Sequence, residues 1–183
     1  MIIVLTGLHG SGKSYFANNI CKKYGFEIIY KNDLIKEMCE KKNINSWHEW
    51  YIENFNKDFI TTTIKILQNL PKDKDIILDS IHSYDEWMVA KKYLKDVYLA
   101  LIITPENIRK KRYEKDDFLK DIKRINYYHN KENNNINCLY ACATWAFNGI
   151  ASDEINEKSF LELLNYIDSN KTKENKLERK KKL

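Results

Sequence analysis

Eight residues near the start of the chain, GLHGSGKS (Gly7–Ser14), have the types and spacing to hold a row of phosphates. Gly7, Gly10, Gly12, Lys13 and Ser14 satisfy G-x-x-x-x-G-K-[ST]. The motif sits directly behind the apolar run Ile2–Leu5 and ahead of a helical pattern, the context it requires. Glycines accept positive φ and let backbone N–H groups converge on phosphate oxygens. A helix opening near Lys13 aims its positive dipole end at the same oxygens. On this pattern Lys13 is expected on the β- and γ-phosphates and the Ser14 hydroxyl on Mg²⁺. The nucleotide-binding set is Gly7, His9, Gly10, Ser11, Gly12, Lys13, Ser14 and Tyr15. His9 is open: it touches a phosphate or the acceptor, or it fills a variable loop position.

Two further groups could complete such a site. Asp79 ends the apolar run of IILDS, and a carboxylate at the carboxyl end of a strand beside the phosphate loop can hold Mg²⁺ through water. The chain has only four arginines, and Arg109, Arg112 and Arg124 fall within sixteen residues after the fourth apolar run. Phosphoryl transfer needs charge stabilisation more than covalent chemistry. A lid carrying these guanidinium groups to the γ-phosphate is one reading, and a solvated charged helix is the other. Transfer to a hydroxyl would also need a general base, for which Asp33 is the candidate and Asp79 the runner-up. No G-x-S-x-G, H-E-x-x-H or C-x-x-C pattern offers a competing chemistry. No Asn/Thr-Lys-x-Asp element follows a strand, which favours ATP over GTP.

Strand-like and helix-like segments alternate to position these residues. Strands are expected at Ile2–Leu5, Phe26–Tyr30, Asp75–Ser80, Val97–Thr104 and Ala143–Phe147. Helices are expected at Lys13–Lys23, Asp33–Lys42, Trp47–Leu70, Tyr84–Lys95, Glu106–Tyr113 and Asp117–Lys131. A last helix is expected over SFLELLNYI, where Ser159 and Glu162 have capping-box spacing. Such alternation means right-handed crossovers, and near-continuous apolar strands fit a sheet covered on both faces. The fold class is therefore α/β, a doubly wound five-stranded parallel sheet of the P-loop NTPase type with a helical lid. Tyr51, Phe55 and Phe59 recur every four residues, with Trp47 extending the stripe; core packing and an aromatic platform for a flat ligand are both open.

The totals bound the rest. A chain of 183 residues suits one domain. No apolar run approaches the roughly 20 residues of a membrane span, so a cytoplasmic protein that does not engage a membrane is expected. Cys21, Cys39, Cys138 and Cys142 read as reduced thiols. Seven of the 31 Lys/Arg and two of the 26 Asp/Glu lie in residues 171–183, so the first 170 carry 24 of each and the +5 excess is all in the tail. Such a tail either stays solvated or guides nucleic acid or a protein partner.

With GLHGSGKS, KNDLIKE, ILDSIHSYDEW and RKKRYEKDDFLKDIKR in place, residues 1–168 resemble small P-loop kinases of the nucleoside monophosphate kinase superfamily, adenylate-kinase-like and dephospho-CoA-kinase-like. The resemblance implies transfer of a γ-phosphoryl group from ATP to a small acceptor, often a nucleotide, with Mg²⁺. It puts an acceptor-binding insert at about 31–70 and a lid at about 105–131, leaving 169–183 as a flexible basic tail. Asp33 and Lys36 fall where these kinases have the Asp-x-x-Arg of the acceptor helix, and Asp79 on the acid of their Asp-Gly-x-x-Arg segment. Arg109, Arg112 and Arg124 fall on their lid arginines. Trp47 and His82 join Asp33 and Lys36 as acceptor-side residues. Ser80 stands where the family has glycine, and Lys36 and His82 stand where it has arginine, so they would clamp an acceptor phosphate less well than bidentate arginines. Two rival readings keep the phosphate loop: a kinase acting on nucleic acid, and a nucleotide-dependent switch subunit with little turnover.

Overall fold

Along β1 (Ile2–Thr6), Ile3 and Leu5 face one side of a sheet and Val4 the other, and all three are fully buried. The computed structural model, which describes residues 1–112 and 136–181, builds the sheet by adding four more strands. These are β2 (Glu27–Tyr30), β3 (Ile76–Asp79), β4 (Val97–Ile103) and β5 (Trp145–Asn148), all parallel, in the order β2-β3-β1-β4-β5. One core lies under Val4, Leu78 and Leu99, closed by α2 (Lys31–Glu40), α4 (Phe59–Leu67), α5 (Tyr84–Tyr93) and α7 (Ile136–Ala141). The other lies under Ile3, Leu5, Ile77 and Ile102, closed by α1 (Lys13–Asn19) and α8 (Asp153–Lys181) through Phe16, Phe147 and Phe160. Both faces are covered, as the apolar strands require.

The register brings the carboxyl ends of β2, β3 and β1 level, with Tyr30 paired to Asp79 and Asp79 to Leu5, while β4 runs three residues beyond Ala100, the other partner of Leu5. The chain leaves β1 toward the β2 edge and leaves β4 toward the β5 edge. A crevice therefore opens between their carboxyl ends, where ligands bind in open α/β sheets.

Two expected helices differ. The single helix over Trp47–Leu70 is two, α3 (Trp47–Lys57) and α4, broken at Asp58. Asp58 is extended and its side chain accepts the Thr61 N–H at 3.0 Å, capping α4; those hydrogen bonds hold its carboxyl below the usual range. The last helix starts at Asp153, six residues ahead of Ser159, behind Ser152, which accepts the Ile155 and Asn156 N–H groups. Ser159 lies inside it and accepts instead from Trp145 Nε1. The same helix carries the backbone on to Lys181 through most of the segment expected as a flexible tail. Lys171 Nζ meets Asp96 at 2.7 Å. Asp117–Lys131, most of the expected lid, lies outside the described residues. No helix among the described residues is long and apolar enough to cross a membrane.

Candidate active site

The loop between β1 and α1 turns through Gly7, Gly10 and Gly12 at φ of 143°, 70° and 97°. At Gly7 a Cβ would lie 2.6 Å from the Ile102 carbonyl oxygen, so only glycine fits against β4. Each of the loop's carbonyls from Gly7 to Ser11 accepts from a side chain. Lys13 Nζ, itself buried, donates to Gly7 O at 3.0 Å and Leu8 O at 3.2 Å. Arg109 Nη1 donates to His9 O at 3.2 Å, Arg112 Nη1 to Gly10 O at 2.8 Å, and Thr104 Oγ1 to Ser11 O at 2.7 Å. With five successive oxygens taken by side-chain donors, the N–H groups of Gly10 and Gly12 are left without an acceptor among the described residues, and both residues line the crevice. Unpaired amide donors at a helix start, beside a lysine, form an anion site.

Ser14 and Asp79 meet on the β3 side of the loop: Ser14 Oγ donates to Asp79 Oδ2 at 2.7 Å, and Asp79 is buried. A hydroxyl and a carboxylate are the hard oxygen donors that Mg²⁺ takes beside phosphate and water, so this pair fits that ion. The described residues contain no cluster of three or more His, Cys, Asp or Glu that would hold a metal by protein ligands alone.

The arginines sit under the loop, Arg109 on α6 (Glu106–Lys111) and Arg112 capping its carboxyl end. Arg109 is 5 % exposed, and its Nε also donates to Thr104 O at 3.2 Å. Arg112 spans from Gly10 O to Gly149 O, 2.9 Å from its Nη2, and so ties the phosphate loop to the loop after β5. Arg124 lies outside the described residues. Between these loops opens a cavity of about 790 Å³, lined by Gly10, Gly12, Tyr15, Phe16, Arg112 and Asn156 among others. Tyr15 stands at its rim, 59 % exposed, and donates to Asp153 Oδ2 at 3.0 Å, which raises the phenol's pKa. His9 is exposed. Ser11 is buried, and its Oγ has no hydrogen-bond partner among the described residues.

On the opposite side, Asp33 and Lys36 form an exposed pair at 2.9 Å, with Lys36 Nζ 5.7 Å above the Trp47 ring. Trp47 is half-buried against the core, and α3 buries no residue fully, so the aromatic stripe is a half-covered wall. Tyr51, Phe55 and Phe59 run along it with ring centroids 5.2 and 6.1 Å apart. His82 Nε2 lies 2.7 Å from Ser80 Oγ. A buried pair joins these pieces: Lys31 Nζ meets Glu86 Oε1 at 2.8 Å, Tyr51 OH donates to the same oxygen at 3.3 Å, and His82 N donates to Glu86 Oε2 at 3.4 Å.

Lys31, Glu86, Thr104, Gly149 and Asn156 escaped the sequence reading. Only two had a local signal. Asn148-Gly149 is a turn dipeptide after a strand, and Ser152-Asp153-Glu154 is a helix start with an acidic first turn.

Comparison with known proteins agrees with this geometry. Residues 6–126 match the model of the family AAA_17, an AAA domain. A protein from Sulfurisphaera tokodaii named "Putative adenylate kinase" is 27% identical over 82 residues, 45% of this chain and 41% of that protein, so the match spans about two-fifths of the relative's length. Among solved structures, shikimate kinase from Bacteroides thetaiotaomicron superposes with a TM-score of 0.63 at 15% identity, over 90% of this chain and 98% of that one. TT1252 from Thermus thermophilus gives 0.58 at 14%, over 91% and 96%. At such identities the likeness is one of fold: a five-stranded parallel P-loop kinase fold.

Proposed function

The chain belongs to the AAA domain family, and on that premise we propose that it is an ATP-dependent phosphotransferase. It moves the γ-phosphoryl group of Mg·ATP to a small acceptor, a nucleotide or nucleotide-like molecule. The observation that carries this reading is the pairing of the side-chain-held carbonyls at Gly7–Ser11 with the Ser14–Asp79 contact at 2.7 Å, an anion site beside a hard-cation site. The phosphates sit on the Gly10 and Gly12 N–H groups, and Lys13 exchanges the Gly7 and Leu8 carbonyls for phosphate oxygens. The base and ribose occupy the cavity between the loops. Ser14 and Asp79 would hold Mg²⁺, which when bound neutralises phosphate charge. An acceptor oxygen attacks the γ-phosphorus from the Asp33–Lys36–Trp47 side, and the bond to the β–γ bridging oxygen breaks with its electron pair leaving on ADP. A phosphate acceptor is already an anion and needs no base.

One observation favours a hydroxyl-bearing acceptor as a second reading. Glu86 holds Lys31, Asp33 holds Lys36, and the Ser80–His82 pair stands where the resembling kinases have glycine and arginine. Paired ammonium groups attract a phosphate dianion weakly. Asp33, once free of Lys36, would then take the hydroxyl proton.

The test is ADP production from Mg·ATP against nucleoside and deoxynucleoside monophosphates, dephospho-CoA, small alcohols and short oligonucleotides, with Lys13→Ala as control. Lys13-dependent turnover stimulated by one small acceptor is expected and identifies it. Tight ATP binding with no acceptor-stimulated turnover overturns the reading.

A further inference from the structure

We propose that the groove between α4 and α5 is a contact surface for a second copy of this chain, joined about a twofold axis that passes between Met88 and Val89. Asp85, Met88, Val89 and Lys92 stand at i, i+3, i+4 and i+7 of α5, so they share one face of the helix, and all four line a cavity of about 650 Å³. The opposite side of α5 is buried through Glu86, Trp87 and Ala90. Ile60 and Ile64 of α4 form the other wall. Ile60, Met88 and Tyr93 are 49 %, 43 % and 43 % exposed, three large apolar side chains gathered in one place. Single apolar residues scattered on a surface need no explanation, whereas a contiguous apolar patch rimmed by charge marks a contact. The groove shares no lining residue with the cavity beside the phosphate loop, so it lies outside the site assigned to the phosphoryl donor.

The charges at the two ends of this face decide the occupant. Asp85 stands in the first turn of α5 and Lys92 in the last, about 10 Å apart along the helix axis. Neither has an ion-pair partner among the described residues. Burial alone raises the Asp85 carboxyl pKa, with no cation set against it. A second α5 laid antiparallel on the first brings Asp85 of each copy to Lys92 of the other. The midpoint of those two positions falls between Met88 and Val89, so the apolar pair meets its own image at the centre. A parallel copy would set acid against acid and base against base, which repel. One helix face thus carries both halves of the contact, the self-complementarity that a twofold interface requires. Two short helix faces bury less than the about 1,200–2,000 Å² of a tight complex, so the dimer is a weak one, with a dissociation constant of about 10–100 µM.

The test is sedimentation equilibrium on the full chain from about 5 to about 500 µM, a range that brackets such an affinity. It compares the parent with Asp85→Lys, Lys92→Asp and the double charge swap. The average mass of the parent is expected to rise with concentration from 21.9 kDa toward twice that value. Each single reversal weakens self-association by about tenfold or more, because two attractive pairs become two repulsive ones. The double swap restores the pairing in reverse, to within about threefold of the parent. Equimolar Asp85→Lys and Lys92→Asp, each monomeric alone, are expected to form a mixed dimer, which neither misfolding nor a lost contact within one chain would produce. A parent that stays a monomer to the highest concentration overturns the proposal and leaves the groove to an unlike partner. A dimer that survives both single reversals overturns it too, since the contact then lies elsewhere. Single variants that lose the dimer and stay monomeric when mixed overturn the charge pairing on which it rests. A mass that climbs past the dimer overturns the closed twofold geometry.

Discussion

Glu86→Leu tests whether the Lys31–Glu86 pair organises the acceptor side. Lys31 and Glu86 side chains are 10% and 4% exposed, and their contact joins the start of α2 to the start of α5 while receiving Tyr51 from α3. Removing one member of a buried pair costs about 3–5 kcal/mol, because the survivor keeps its desolvation penalty and loses its partner. The tenth of Lys31 that still reaches solvent gives the stranded ammonium some hydration, which puts the expectation at the lower end, about 3 kcal/mol. For a chain of this length that lowers the melting temperature by about 6–12 °C. The informative partner is the double variant Lys31→Met/Glu86→Leu, in which no charge is stranded and apolar volume replaces the pair. It should recover most of the loss, to within about 1.5 kcal/mol of the parent. Thermal unfolding followed by circular dichroism on the parent, both single variants and the double closes the cycle. A double variant no more stable than Glu86→Leu would refute the reasoning, since the cost would then lie in lost packing or capping of α5 rather than in an unpaired charge.

Gly149→Ala should destabilise the fold by about 1–3 kcal/mol in urea titration and weaken ATP binding, because its Cβ would overlap the Thr104 hydroxyl and the Ser11 carbonyl. Gly25→Ala, whose Cβ meets nothing within 4 Å, should leave ATP affinity unchanged. At Asp96, burial raises the carboxyl pKa, but hydrogen bonds from Lys171 and Tyr98 outweigh it and the net shift is downward. A depressed carboxyl contributes stability above its unfolded value near pH 4 and loses it as pH falls through the folded value. Asp96→Asn should therefore cost about 0.2–1 kcal/mol at pH 7, the range of a partly exposed pair, and the gap to the parent should close on acidification below about pH 4.

The parts of the site that were legible in the sequence are those whose partners are close in the chain or marked by pattern. The phosphate loop announces itself because Gly7–Ser14 lies between a strand and a helix. Asp79 stands out because an acid ending a buried apolar strand needs a reason. Alternation of apolar runs with helical spacing gave the five strands and both covered faces. Other features depend on distant partners. Glu86 and Lys31 are 55 positions apart, and each looks like an ordinary helix charge. Arg109 and Arg112 were visible as a cluster, but that they would lie on carbonyls a hundred positions earlier was not. Asp58 reads as one more polar residue in a helical stretch, until its side chain competes for the Thr61 N–H and ends one helix to begin another. At Ser159 a correct local rule misled, because Ser152 with Asp153 and Glu154 offered an earlier start with better chemistry.

The guanidinium groups under the phosphate loop have a reach beyond tethering. A peptide unit conducts polarisation: drawing electron density toward its oxygen makes its N–H more acidic. Arg109 on His9 O acts in this way on the Gly10 N–H, and Arg112 on Gly10 O acts on the Ser11 N–H. Thr104 on Ser11 O does the same, more weakly, to the Gly12 N–H. The Arg109 charge and the Thr104 hydroxyl are thereby relayed to the Gly10 and Gly12 N–H groups of the anion site, whereas the Ser11 N–H that Arg112 polarises donates to Leu8 O at 3.1 Å and tightens the loop itself; none of the three side chains need touch a phosphate. The affinity of the loop for phosphate becomes adjustable from the far side of its own backbone, and Arg112, which also grips Gly149, couples that setting to how firmly the loop after β5 is held.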